Sequence, residues 1–140
     1  GAAEEVLEMF DMSTMKKIHD NFVDKEVWVI TAKRKISRSG QVYAKRNELE
    51  VYYGIVNDIR IGEEYANGKQ YPVAAANVSL RCPLEFNGET KVWYINGGYV
   101  PLNVRCFATE EEARNELALM SARTPNEQKE VEVKQLETGV

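Results

Sequence analysis

Apolar and polar residues alternate without a break over 78–86. Val78, Leu80, Cys82, Leu84 and Phe86 are apolar, and Ser79, Arg81, Pro83 and Glu85 separate them. Side chains on a strand point to opposite faces in turn, so this pattern predicts a half-buried β-strand. Similar signals recur along the chain. Val27, Trp28, Val29 and Ile30 begin a strand that runs to Ile36, and Ser37-Arg38-Ser39-Gly40 supplies a turn. Residues 41–46 return as its hairpin partner. A long strand follows, with Leu49, Val51, Tyr53, Ile55, Ile59 and Ile61 on one face and Asn57 breaking the phase once; Gly54 predicts a bend or bulge. Residues 62–68 read as a polar loop ending in the turn dipeptide Asn67-Gly68, before a short strand over 69–75. Asn87-Gly88 predicts a hairpin that pairs 78–86 with 91–95. Asn96-Gly97-Gly98 predicts another turn, and 99–107 a last strand with Val100, Leu102, Val104 and Cys106 in phase.

Helical spacing appears at both ends. Val6, Leu7 and Phe10, then Met15, Ile18 and Phe22, recur at three- and four-residue intervals, which predicts a helical segment over 1–24. Thr109-Glu110-Glu111-Glu112 is a capping box, with the Thr109 hydroxyl on the Glu112 N–H and the Glu112 carboxylate reaching back to the Thr109 N–H. It opens a helix over 109–123 that buries Ala113, Leu117 and Met120. Residues 124–140 are polar and charged, and Val131 and Val133 alternate with acids and Lys134, so this stretch is expected to be a tail or an edge strand.

Three segments carry a resemblance. They are Lys25-Glu26-Val27-Trp28-Val29-Ile30, Val56-Asn57-Asp58-Ile59-Arg60-Ile61-Gly62, and Phe107-Ala108-Thr109-Glu110-Glu111-Glu112-Ala113. Together they resemble small uncharacterised proteins of bacteria and their phages or mobile elements, which form compact SH3-like barrels. The resemblance implies a fold and a phage or mobile-element association, and no activity.

Composition narrows the functional classes. A net charge of −4 with 44% hydrophobic and 29% charged residues describes an ordinary soluble domain. Nothing resembles a run of about 18 apolar residues, so no membrane helix is expected. The leading Gly1 has the look of a residue left by tag cleavage, which leaves room for a trimmed signal peptide. Cys82 and Cys106 both fall on inward strand positions and read as free thiols in a reducing, cytoplasmic compartment. His19 is the lone histidine, too few for the usual zinc sites, so no metal and no cofactor is expected. A Cys–His nucleophilic pair would need an exposed thiol with a lowered pKa. Glu48 and Glu50 read as the solvated face of a strand.

Charge placement is the most suggestive feature. Over 26–61, seven basic residues (Lys33, Arg34, Lys35, Arg38, Lys45, Arg46, Arg60) against four acidic ones leave +3; over 109–140, four basic against eight acidic leave −4. Tyr43 and Tyr52 lie among the cations, and aromatics interleaved with cations can stack bases. Lys33, Arg34, Lys35, Arg38, Tyr43, Lys45, Arg46 and Tyr52 are therefore the candidate nucleic-acid-binding residues. The alternative for the same hairpin is a solvated edge whose charges block aggregation.

The expected fold is mainly β, a single domain over 1–140. It is a strongly bent antiparallel sheet or SH3-like barrel over 25–108, with an N-terminal helical segment and a C-terminal helix. The expected function is a non-catalytic interaction module with a protein partner or a second copy of itself, since Leu7, Met9, Phe10, Met12 and Met15 occupy more than one helix face. A nucleic-acid-associated protein using the basic hairpin, and a small enzyme with an unrecognised site, are the alternatives.

Overall fold

The computed structural model describes residues 19–138. Five strands form one sheet: β1 (Glu26–Ile36), β2 (Val42–Ala66), β3 (Lys69–Phe86), β4 (Glu89–Pro101) and β5 (Cys106–Phe107). Two helices follow, α1 (Glu110–Ala122) and α2 (Pro125–Thr138). The strand order is β4-β3-β2-β1-β5, and every pairing is antiparallel. The helical segment expected over 1–24, with its dimerisation surface, lies outside the described residues except at its end, where 19–22 are helical.

Local chemistry sets the meander. Asn67 (φ 50) with Gly68 (φ 74), and Asn87 (φ 53) with Gly88 (φ 78), have both central residues left-handed. That is the turn whose twist matches two antiparallel strands. After β4 the chain makes a tight turn in which the Arg105 N–H donates to the Pro101 carbonyl at 3.0 Å. The Leu102 N–H ties this turn to Ala74 of β3, and β5 then pairs with β1 at Trp28↔Phe107 and Val29↔Cys106. The two ends of the sheet are thus drawn together into a nearly closed barrel. Val27, Val29, Val56, Val78, Leu80, Cys82, Leu102 and Cys106 fill its interior. The alternation over 78–86 holds, with Val78, Leu80, Cys82 and Leu84 all buried.

Four expectations need correcting. First, residues 41–61 do not make two strands but one long β2, interrupted by two bulges. Leu49 pairs with Ala32 while Lys45 pairs with Lys33, so 46–48 loop out. Val56 pairs with Val78 and Asp58 with Asn77, so Asn57 is the extra residue of the second bulge. Its side-chain amide fastens to β3, donating to Ser79 Oγ at 2.7 Å. The interior phase before Asn57 is Tyr52, Gly54 and Val56, and the bulge then turns Ile59 and Ile61 inward, so these two do not share the face of Leu49, Val51, Tyr53 and Ile55 as expected. Gly54 is no bulge. Its missing side chain admits Val78, whose Cγ1 lies 2.5 Å from where a Cβ would stand.

Second, residues 62–66 continue β2 as strand, leaving Asn67-Gly68 as the turn. Residues 69–86 are likewise one continuous strand. Third, Asn96-Gly97-Gly98 is not a hairpin turn. β4 passes through it with a bulge, because Ser79 pairs with Asn96 while Asn77 pairs with Tyr99. Residues 99–107 are consequently not one strand.

Fourth, the last segment is neither tail nor edge strand but helix α2. Thr124 and Glu127 form a reciprocal capping box: the Glu127 N–H donates to Thr124 Oγ1 at 3.2 Å and the Thr124 N–H to Glu127 Oε1 at 3.4 Å. Pro125 takes the first helical position, where its fixed φ and missing N–H do no harm. Leu136 seats the helix on Tyr71 and Val73 of β3, and Arg105 pairs with Glu132 beside it.

α1 covers a second cluster on the outer face, where Ile30, Val51, Phe107 and Ala113 are buried and Leu117 and Met120 lie against them. Its cap is as expected on the Thr109 side, which accepts the Glu112 N–H at 3.2 Å. The Glu112 carboxylate differs: it accepts from the Thr109 hydroxyl at 2.9 Å. No helix among the described residues is long and apolar enough to cross a membrane.

Candidate functional site

β2 and β3 pair from Ala66↔Lys69 to Tyr53↔Arg81, and the ladder stops there. Beyond that point β2 stays with β1, while β3 stays with β4 as far as Phe86↔Glu89. The sheet therefore splits, and a cleft of about 410 Å³ opens in the fork. Trp28, Tyr53, Arg81 and Pro83 line it, with Lys33, Arg34, Glu50 and Arg114 around them.

The split leaves main-chain groups on β2 without a β3 partner. The Val51 N–H is taken instead by Glu50 Oε1 at 2.8 Å. The Arg34 N–H donates to the Tyr52 hydroxyl at 2.8 Å, which fixes the wall of the cleft to the barrel core. Burial pushes the Tyr52 phenol above its ordinary pKa.

At the head of the fork four cross-strand partners stand in one row. Trp28 pairs with Tyr53, Tyr53 with Arg81, and Arg81 with Tyr94. The Trp28 and Tyr53 rings meet edge to face at 5.3 Å. The Arg81 guanidinium lies 5.6 Å from the Tyr53 ring centre and 5.4 Å from that of Tyr94. Such a cation over two ring faces is held in place without a counter-charge. Tyr53 is held as well: its hydroxyl donates to Glu26 Oε1 at 2.9 Å, and this bond is the leading cause of its raised pKa. Tyr94 is 75% exposed, and Val92 next to it on the same face 54%.

The charges around the cleft differ in how they are matched. Arg114 pairs with Glu110 at 2.9 Å and Glu50 at 3.6 Å. Lys33 lies 3.9 Å from Glu48, and the Arg34 guanidinium donates to the Ala32 carbonyl. Arg81 has no carboxylate partner among the described residues, and its Nε–H is buried with no hydrogen-bond acceptor.

The eight candidates from the basic hairpin are dispersed. Lys33, Arg34 and Tyr52 line the cleft. Tyr52 is 6% exposed and belongs to the core, so its ring is not available to stack a base. Lys33 pairs with Lys45 and Lys35 with Tyr43 across the hairpin, which places these four on one face. Glu48 sits among them, 2.6 Å from Lys45 Nζ. That ion pair raises the Lys45 pKa and lowers that of Glu48. Arg38 is in the exposed turn and Arg46 in the three-residue bulge, so the ladder sets neither on that face. Glu48 and Glu50 are not one solvated row: the first is in the bulge, the second in the cleft. Trp28, Tyr53, Arg81, Tyr94 and Arg114 were not among the candidates. The first four share a cross-strand register, which has no signature within any one segment, and Arg114 is brought to the cleft by α1.

The remaining reactive groups lie elsewhere. Cys82 and Cys106 are free and buried, 0% and 1% exposed. Burial raises their thiols to about 11 and about 12, so both stay protonated at neutral pH. His19 is exposed and 3.5 Å from Asp20. Among the described residues no three His, Cys, Asp or Glu side chains gather closely enough to hold a metal ion. No family model, curated protein or solved structure matches the chain.

Proposed function

We propose that this chain is a non-catalytic interaction module that engages a protein partner through the outer face of its sheet, at the fork between β2 and β3. One observation carries this reading: the row Trp28-Tyr53-Arg81-Tyr94, held rigid on the outer face and ending in an exposed tyrosine beside an exposed valine. Tyr, Trp and Arg are the side chains most enriched among interface anchors; Tyr and Trp bury a large area at small entropic cost, and Arg adds a planar fork of donors. A photo-crosslinking residue placed at Tyr94, with Lys69 at a hairpin tip as control, tests it in an extract of the source cells. Protein adducts from position 94 and none from position 69 are expected. Equal labelling from both positions, or adducts to nucleic acid alone, would overturn the reading.

The shared face of Lys33, Lys35, Tyr43 and Lys45 supports a second reading, nucleic-acid binding by the β1–β2 hairpin. Such binding weakens steeply with salt, because cations displace condensed counterions from the phosphates. Lys33, Lys35 and Lys45 changed together to Glu should abolish it. An oligonucleotide affinity that stays flat from low to moderate salt removes it.

A further inference from the structure

We propose that the cleft at the β2–β3 fork seats a carboxylate from an acidic, extended protein segment, with Arg81 as its principal partner. This rests on the interaction-module reading and names the chemistry of the partner.

Charge comes first. Four cations line the cleft, Lys33, Arg34, Arg81 and Arg114, against one acid, Glu50. Arg114 and Lys33 already have carboxylates, and Arg34 has a carbonyl. Arg81 is the cation left over. Its guanidinium is fixed between two rings and its Nε–H is buried without an acceptor. A planar fork of donors held in this way matches a carboxylate in two parallel hydrogen bonds. The position is organised before any ligand arrives, so little side-chain freedom is lost on binding.

Shape decides between kinds of anion. At about 410 Å³ the cleft takes one or two side chains with a short stretch of main chain. A nucleic-acid strand needs a continuous basic track. Here that track is broken, because Glu26, Glu48 and Glu110 each bond a residue of the cleft wall (Tyr53, Lys33 and Arg114). A single carboxylate on an extended peptide needs no such track, only the one unmatched cation, Arg81. Over 83–86, β3 pairs with β4 alone, so apart from Pro83, which has no N–H, its main chain toward the fork has no ladder partner and could take one from an extended segment. Trp28 and Pro83 give an apolar neighbour of the carboxylate a surface to lie on.

The test is a titration of ¹⁵N-labelled protein, at about physiological salt, with a short soluble peptide rich in glutamate. Its glutamine counterpart and a thymidine oligonucleotide of equal charge are run beside it. The Arg81 Nε–H and Trp28 Nε1–H signals report on the cleft directly. Saturable shifts of both are expected with the acidic peptide. Affinity should fall at least about tenfold for the glutamine peptide, the loss of one charge-assisted hydrogen bond. It should fall similarly in Arg81→Met, which keeps the apolar stem, and by less in Lys33→Met, which leaves the row intact and removes a charge that Glu48 already matches. Equal binding of the two peptides, or unmoved Arg81 and Trp28 signals, overturns the proposal. An oligonucleotide that binds as tightly as the acidic peptide overturns it in favour of nucleic acid. If the acidic peptide fails while crosslinking from position 94 still yields protein, the carboxylate assignment falls alone. If both fail, the interaction-module reading falls with it.

Discussion

Gly54 tests the barrel at its tightest point. It lies on β2 between Val27 of β1 and Leu80 of β3, with its backbone inside the curl of the sheet. A Cβ added there would stand 2.5 Å from Val78 Cγ1 and 2.9 Å from the Ser79 carbonyl oxygen. Ordinary carbon–carbon contact is about 3.5–4.0 Å, so the first overlap is about 1 Å. Val78 is β-branched and stiff at χ1, and the Ser79 carbonyl belongs to strands that the ladder holds on both sides. Forcing a methyl group into a packed interior costs about 1–3 kcal/mol, and two obstacles of this kind place Gly54→Ala near 3. Removing a glycine returns about 0.4–1 kcal/mol by restricting the unfolded chain. The net loss is about 2 kcal/mol, which at a urea slope of about 1–3 kcal/mol per molar lowers the midpoint by about 1 M. Gly62→Ala is the matched control. It lies on the same strand with nothing within 4 Å of its Cβ position, so the unfolded-chain gain stands alone and the midpoint should hold or rise. Val78→Ala added to Gly54→Ala should cost less than the sum of the two single changes, because the smaller side chain removes the overlap. Equal midpoints for Gly54→Ala and Gly62→Ala would refute the packing of β2 on β3 described here.

Three further outcomes are expected. Leu136→Ala should cost about 2 kcal/mol, the low end for a buried leucine, since it removes the side chain seated on Tyr71 and Val73; hydrogen exchange should then quicken through α2 while β1 to β4 keep their protection. Thr124→Ala, which deletes the cap of the same helix, should cost about 1 kcal/mol and produce the same local pattern more weakly, whereas a uniform rise in exchange would argue against a separately docked helix. Cys82 and Cys106 should resist alkylation at pH 8 until denaturant is added. Their thiols ionise near 9 when unfolded but only at about 11 and about 12 when folded, so above pH 9 the unfolded chain holds fewer protons and stability should fall as pH rises through the folded values; a urea midpoint that climbs from pH 9 to 11 would contradict their burial.

The parts of this fold that were legible in the sequence are those where a strand keeps step with itself. The alternation over 78–86 assigned its inward residues correctly because β3 itself carries no extra residue there, the neighbouring bulges lying in β2 and β4. β2 reads as having one face throughout, but its phase is reset at Asn57, and the residues before the reset are apolar on both sides: Tyr52 and Val56 fill the barrel while Val51 lies under α1. Tyr52 reads as a surface aromatic for the same reason. Asn96-Gly97-Gly98 carries the composition of a turn, but Gly97 is there because Leu80 and the Val78 carbonyl crowd its Cβ position. In α2 the spacing of Val131 and Val133 imitated a strand, and the more telling signal was Thr124-Pro125 with Glu127 behind it. Of the candidate site, the hairpin cations Lys33 and Arg34 were legible. The cleft they border was not, because it exists only where one strand changes neighbours, and that depends on a register no local pattern records.

The way β5 returns to β1 has a kinetic consequence. The β1–β2, β2–β3 and β3–β4 pairings each join neighbours along the chain through a short turn, so they can zip independently and early. Docking Phe107 against Trp28 is different: it brings together the first and last strands and must wait for the whole meander to curl. Loop-closure entropy makes such a distant pairing the slow step. A polypeptide emerging from the ribosome would then hold an open, edge-exposed sheet until the turn after Pro101 has cleared the exit tunnel, and that interval is when it has most need of protection from its neighbours.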